Sequence, residues 1–301
     1  MNSRFQINWV IKDNQAGKLI REFLKEKEIS KTALTDIKFK GGSILINNED
    51  VNVRYILKAG DSLTVIFPAE NPSGGIKEEK IPLDILFEDE YFLVINKSAG
   101  MSTIPSREHP HGSLANALVG YYQEIGLEAT AHIVTRLDRD TSGIVLIAKH
   151  RHVHHLMSKQ QQSGGVTRTY EALAGGSFSV DSGTVTQPIG RKEDSIIERE
   201  VRRDGQYACT HFKVLNRHNG FTSIELRLET GRTHQIRVHM SYVGHPLLGD
   251  DLYGGDTTFI NRQALHCKQI KFFHPFTREI KTYSAPLPND ILNILEADTN
   301  W

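Results

Sequence analysis

The chain has 301 residues, 39% of them apolar, with 36 basic and 36 acidic side chains and two cysteines. That length suits two domains with a sizeable core, and the balanced charge gives no chain-wide signal for a polyanion, so any RNA contact must come from a local patch. Two cysteines exclude a disulfide framework, and no apolar run has the length of a leader core or a membrane span, so a soluble cytoplasmic protein is expected.

In chain order, Ala16, Leu19, Ile20, Phe23 and Leu24 recur at helical spacing, and Ser30 can cap a second short helix carrying Leu34 and Ile37. Residues 44–46, 51–53 and 63–67 read as short strands, with turns at Asn47-Asn48 and Gly60-Asp61. Residues 1–72 therefore form a small helix-helix-strand module. Turn formers from Asn71 to Gly75 and the charged run Lys77 to Lys80 mark an exposed linker over 73–80. A larger domain is expected over 81–297.

That domain opens on two strands, 85–87 and 91–95, around the polar turn Glu88-Asp89-Glu90. Ser113 can cap a helix whose apolar stripe is Leu114, Ala117, Leu118, Tyr121 and Ile125. Residues 144–148 read as a buried strand entered through Thr141-Ser142-Gly143, and Val153, Leu156 and Met157 point to a further helix. Extended segments recur at 166–174, 183–189 and 207–214. Strict alternation over 221–229 then places Ile224, Leu226 and Leu228 on one face. Most of these strands lack the intervening helix that a parallel sheet requires. The expected class is α+β, a large mixed, mainly antiparallel sheet with flanking helices, preceded by the small module.

The densest polar stretch is HIVTRLDRDTSGIVLIAK, residues 132–149, which sets Asp138 between Arg136 and Arg139. Flanking guanidiniums favour a charged carboxylate, better suited to be a nucleophile or base than an acid. The simpler reading is a loop aspartate that caps backbone amides. A second stretch, LETGRTHQIRVHM at 228–240, has Gly231 ending a strand and Thr233 placed to cap a helix, with Ile236, Met240 and Val243 facing the core. Arg237 lies beside that stripe, where packing would fix its guanidinium, and it is the expected partner of Asp138. Arg232, at the start of the helix, is the expected phosphate contact. Surface charge is the alternative for both arginines. Tyr170, in the extended run VTRTYEAL, either stacks on a nucleobase or fills the core. Neither His152, His154 and His155 nor the pair His234 and His239 shows metal-ligand spacing, and the cysteines lack zinc-site spacing, so no metal is expected. Asp138 and Asp140, two residues apart, are too close in sequence to flank a sugar as a glycosidase pair does.

Taken together, the blocks ILFEDEYFLVINKSAGMSTIP, TRLDRDTSGIVLIAK, RTYEAL, LETGRTHQIRVHMSYVGHPLLGDDLYG and ALHCKQIKFFHP, in that order, resemble the RluA-type family of RNA pseudouridine synthases over nearly all of 81–290. The resemblance implies an isomerase that detaches uracil from its ribose, turns the base and rejoins it through a ring carbon, with no cofactor. By position it implies Asp138 as the catalytic aspartate, Tyr170 as the tyrosine that stacks on the target base, and Arg237 as the arginine paired with the aspartate. Leu265 would line the pocket, and Arg136 is expected, with Arg232 at the helix start, to contact substrate. Ser98, Thr135 and Arg168 stand where the family commonly has proline, histidine and lysine. Residues 1–70 resemble the small alpha-L RNA-binding domain often fused ahead of this catalytic domain, which implies RNA contacts at Lys31, Lys38 and Lys40. The charge excess there is slight, 11 basic against 9 acidic residues over 1–72. The implied partner is RNA, ribosomal ahead of transfer RNA, bound by a monomer. The rival is a noncatalytic RNA-binding or ribosome-assembly factor on the same fold, against which the joint presence of Asp138, Tyr170 and Arg237 argues.

Overall fold

The computed structural model describes residues 4–70, 75–106 and 109–298, so the turn formers at 71–74, where the domain boundary is expected, lie outside the described residues. The small module begins with a strand, β1 (Gln6–Val10), and not with a helix. Helix α1 (Ile20–Glu26) buries Ile20, Phe23 and Leu24, and α2 (Lys31–Phe39) is capped by Ser30, whose Oγ accepts the Ala33 amide at 3.1 Å. Strands β2 (Ser43–Ile46), β3 (Glu49–Asp50) and β4 (Ser62–Ile66) complete an antiparallel sheet in the order β1-β4-β2-β3. Asn47 and Asn48 both adopt positive φ, the backbone of a two-residue hairpin turn, which pairs Ile46 with Glu49. The expected strand at 51–53 instead leaves the ladder, because the carbonyls of Val53 and Tyr55 accept the first amides of α1, those of Arg21 and Ile20. The N-cap, Leu19, has no side-chain acceptor of its own, so these backbone oxygens take the first amides while Glu22 Oε2 accepts the Leu19 amide at 3.2 Å.

The larger domain carries β5 (Ile85–Glu88), β6 (Phe92–Lys97), α3 (Leu114–Glu124), β7 (His132–Ile133), β8 (Ser142–Ala148) and α4 (Arg151–Gln162). It continues through β9 (Thr167–Gly175), β10 (Ser182–Thr186), β11 (Ile189–Arg191), β12 (Arg199–Val201), β13 (Cys209–Arg217), β14 (Phe221–Leu228) and α5 (Gln235–Tyr242), then β15 (Leu265–Phe273), β16 (Ile280–Ser284) and α6 (Asn289–Asp298). Ten strands form one sheet along β10-β13-β14-β9-β15-β8-β6-β5, with β16 beside β15 and β7 beside β8. Strands β11 and β12 pair with each other apart from it. Among the described residues one pairing in that sheet is parallel, β15 against β8 through His266 with Ser142 and Cys267 with Gly143. The fold is thus α+β with a mixed, mainly antiparallel sheet. β8 is buried along its whole length, as its continuous apolar run requires, so the loop leading into it rests on a rigid element. No helix among the described residues is long and apolar enough to cross a membrane.

The parallel contact depends on Gly143. Its φ is +111°, and a Cβ there would overlap the Cys267 carbonyl of β15. Gly143→Ala is therefore expected to destabilise the protein by more than about 2 kcal/mol, through positive φ and forced separation of two strands. Thermal and denaturant unfolding measure this, and an unchanged midpoint would show that the two backbones tolerate a wider spacing.

The charged run 77–80 keeps most of its side chains exposed but is pinned along α3, where the Asn116 amide group donates to the Lys77 carbonyl at 2.8 Å. The small module packs on the start of α4. Phe5 stacks on His150 with ring centroids 3.9 Å apart, Phe67 stacks on His152, and Arg151 binds Asp36 at 2.7 Å. Glu70 pairs with His132, and Glu28 with Lys159. Burial pulls His150 and His152 down to about 4, with Glu70 opposing the shift and His132 and Lys149 adding to it at His150. At His152, His155 adds and Glu28 opposes. Because the unfolded imidazoles titrate near 6.5, the folded state binds fewer protons between those values. Stability is full above about pH 6.5 and falls as pH drops toward 4, by up to roughly 3 kcal/mol per histidine. Melting temperatures at pH 7.5 and 5 are expected to differ more in the wild type than in a His150→Gln, His152→Gln double variant. Equal pH dependence in the two proteins would clear these histidines.

Candidate active site

The loop between β7 and β8 is held by backbone contacts on both sides of Asp138. Thr103 Oγ1 donates to the Leu137 carbonyl at 2.6 Å and accepts the Leu137 amide at 3.2 Å. Lys97 Nζ, buried at the end of β6, donates to the carbonyls of Ser98, Met101 and Arg139 at 2.8, 2.8 and 3.0 Å. Burial pulls its ammonium down to about 8, against the charges of Asp140 and Asp138. Arg262 Nη1 donates to the Asp140 carbonyl at 3.1 Å, while Nε and Nη2 grip Asp290. Thr135 is buried and its Oγ1 accepts the Leu146 amide at 2.9 Å, so the threonine at this position ties the loop to β8. All these contacts leave the Asp138 carboxylate, 28% exposed, facing a cleft.

That cleft collects every site residue expected in the larger domain. Asp138, Arg136, Tyr170, Arg232, Arg237 and Leu265 all line it, around a cavity of about 70 Å³. Tyr170 comes from β9, opposite Leu226 on one side and Cys267 on the other, and only 3% of it is exposed. Burial pushes its phenol far above the ordinary range, so the ring stays neutral. The Arg168 guanidinium lies 5.9 Å from the ring centroid, which makes Arg168 part of the site as well. Leu265 opens β15 and is 3% exposed. Lys31, Lys38 and Lys40 lie elsewhere, exposed along or just after α2 of the small module, where Lys40 pairs with Asp36 at 2.9 Å and Lys38 sits over the Phe39 ring.

The second loop departs from its sequence reading. Helix α5 starts at Gln235, and its N-cap is His234 in the left-handed region (φ 56°, ψ 18°), not Thr233. The cause is Gln235, whose side chain is the hub of the turn. Its Oε1 accepts from Thr230 Oγ1 and the Arg232 amide, and its Nε2 donates to the Cys209 carbonyl. Arg232 therefore precedes the helix by three residues and donates Nε to the Tyr207 carbonyl at 3.0 Å, away from the helical amides. Ile236 and Met240 are buried as their spacing predicts, but Val243 lies past the helix end and is 38% exposed.

Arg237 approaches Asp138 with Nη1 at 3.6 Å from Oδ2, an ion pair longer than a hydrogen bond. Its bidentate partner is Asp250, which sequence reasoning missed: Nε and Nη2 donate to the two carboxylate oxygens at 2.7 and 2.8 Å. Asp250 is fully buried. The Tyr253 ring lies 4.9 Å below the guanidinium, and the Tyr253 hydroxyl bonds His234 Nδ1 at 2.8 Å while accepting the Arg199 amide. Burial pulls His234 below the usual imidazole range, partly opposed by the Asp138 charge. His239 is occupied structurally, one ring nitrogen bonding Thr210 and the other the Gln187 carbonyl.

The family model described as RNA pseudouridylate synthase matches residues 91–242, a span that includes Asp138, Tyr170 and Arg237. The chain belongs to the RNA pseudouridine synthase family. Members of this family are isomerases, and this synthase has relatives along nearly its whole length. It is 54% identical to the Bacillus subtilis RNA pseudouridine synthase YjbO, over 93% of this chain and 99% of the relative. It is 35% identical to ribosomal large subunit pseudouridine synthase D of Xanthomonas campestris pv. campestris, over 96% of this chain and 91% of that one. In fold, the synthase resembles human RNA pseudouridylate synthase domain containing 1, with a TM-score of 0.59 at 22% identity over 74% of this chain and 97% of the other. That likeness supports the α+β architecture of the larger domain.

Proposed function

We propose that this synthase isomerises specific uridines of ribosomal RNA, with Asp138 as the carboxylate that carries the chemistry. The observation behind this reading is that Asp138, Tyr170 and Arg237, on a loop, a strand and a helix, line one cleft. The net change breaks the bond from ribose to ring nitrogen and makes one from ribose to ring carbon, with a proton leaving that carbon and another joining the nitrogen. Asp138 acts as nucleophile or base, Arg237 orients it, and Tyr170 packs against the base, with Leu265 lining the pocket. The uridine must leave its stack, at a cost of a few kcal/mol offset by stacking and pocket contacts. As the base enters a cavity of about 70 Å³, the exposed rim side chains Arg136 and Arg232 swing aside and take up phosphates.

The small module serves as an RNA-binding domain through Lys31, Lys38 and Lys40, adding affinity remote from the cleft. Ribosomal RNA is favoured over transfer RNA because a full-length relative is named as a large-subunit enzyme. A monomer is the simplest assembly for this reading, and two free cysteines suit the cytoplasm. Pseudouridine mapping of RNA from cells lacking the protein tests the reading. One or a few large-subunit sites are expected to revert to uridine. Loss confined to transfer RNA would change the substrate, and no loss anywhere would remove the function. Growth restored by an Asp138→Asn form without restored pseudouridine would favour the noncatalytic rival.

A further inference from the structure

Away from the isomerisation groups, β13 and β14 carry a cluster of a different chemistry. Among the described residues, Cys209, His211 and Glu229 place one ligand atom each within 4.8 Å of one another. Cys209 and His211, two apart on β13, project from the same face of the sheet, and the Glu229 amide donates to the Cys209 carbonyl just past the end of β14. Cys209 Sγ lies 3.8 Å from His211 Nε2, and Nε2 lies 2.7 Å from Glu229 Oε1. Tetrahedral zinc bonds of about 2.3 Å to sulfur and 2.0–2.1 Å to nitrogen space those two atoms about 3.6 Å apart. The sulfur-to-nitrogen edge is thus close to that of a coordination sphere. The nitrogen-to-oxygen edge is shorter, closed by a hydrogen bond that a cation would replace.

Two further contacts distinguish the cluster from a surface ion pair. His211 Nδ1 is engaged by Thr184 Oγ1 at 2.9 Å, an outer contact of the kind that fixes a ligating ring and its tautomer. The thiol is buried, yet it is turned toward the same point as the imidazole and the carboxylate. The Tyr207 hydroxyl reaches Glu229 Oε2 at 3.5 Å, at the open side.

We propose that Cys209, His211 and Glu229 form a binding site for a zinc-class divalent cation, with water or the Tyr207 phenol in the fourth position. The thiol proton passes to solvent on binding, and thiolate and carboxylate together balance the charge of the ion. Cysteine-pair spacing does not reveal such a site, because one ligand is a cysteine and the third arrives from the next strand. Its position gives it a role at the cleft. The Cys209 amide donates to Thr230 Oγ1, and Arg232 is held on the Tyr207 carbonyl, so the cation would clamp the loop that carries Arg232.

Chelator-treated full-length protein, titrated with Zn²⁺ by calorimetry and with Co²⁺ by absorption, provides the test. One equivalent is expected to bind, with a thiolate-to-cobalt charge-transfer band that disappears in Cys209→Ser. The band reports Cys209 because, among the described residues, Cys209 and not Cys267 has further ligand groups gathered around its sulfur. His211→Asn and Glu229→Gln are each expected to weaken Zn²⁺ binding at least about 10-fold. Glu229 is half exposed, so its variant tests the site even if the cysteine variant fails to fold. Absence of binding, or binding that none of the three substitutions alters, overturns the proposal.

Discussion

Asp138→Asn is expected to fold and bind RNA like the wild type while losing at least about 10³-fold in pseudouridine formation. The loop around it is fastened by Lys97, Thr103 and Arg262 through backbone oxygens and the Leu137 amide, and none of those contacts uses the Asp138 carboxylate. The amide therefore removes the negative charge and the nucleophilic oxygen without loosening the loop. Nor does it strand a cation, since Arg237 keeps its bidentate bonds to Asp250. A loss of 10³ corresponds to about 4 kcal/mol of transition-state stabilisation. Single-turnover pseudouridine formation, RNA affinity and melting temperature should be measured on the same preparation. Substantial product from the variant would remove Asp138 from the centre of the reaction. A melting temperature that falls along with the rate would instead show that the side chain holds the loop.

The sequence was most informative where chemistry depends on adjacent residues. Tyr170 in an extended run and Arg237 beside an apolar helical stripe lie on a strand and a helix whose periodicity fixes which way each faces, whereas Asp138 stands out by its two arginine neighbours and is aimed by the contacts that hold its loop. Asp250 was not legible. It lies in an irregular turn 13 residues beyond Arg237, where no periodicity signals burial, and its role follows from the hydrogen-bonding demand of a buried guanidinium that becomes apparent once the turn is seen to fold back. The N-cap of α5 failed for a similar reason, since Gln235 reaches back to Thr230 and Arg232 and displaces the cap from Thr233 to His234. For β1 a signal was present: Phe5, Ile7 and Trp9 alternate with polar residues, and Phe5 and Ile7 are buried. Strands β7 and β12, two and three residues long, owe their existence to partners supplied by topology, which no window of sequence contains.

Asp250→Asn is expected to separate structural support from orientation at Arg237. The carboxylate is fully buried and the Arg237 side chain is 8% exposed, so removing the charge leaves a guanidinium whose nearest remaining acidic partner is Asp138 at 3.6 Å. Breaking a buried pair from one side costs about 3–5 kcal/mol. For a domain of this size that is a fall of roughly 10 °C in melting temperature. The freed guanidinium would turn toward Asp138 and hold that carboxylate in a tight ion pair, so turnover is expected to drop by about 10²-fold even where the variant is folded. A double variant, Asp250→Leu with Arg237→Met, tells the two effects apart. Replacing both charges with apolar groups of similar volume is expected to recover most of the stability, because no ion is left unpaired in the interior. It should not recover the rate, because Asp138 has then lost the group that positions it. If the double variant regains both, Arg237 and Asp250 are a structural pair alone, and Asp138 works without them.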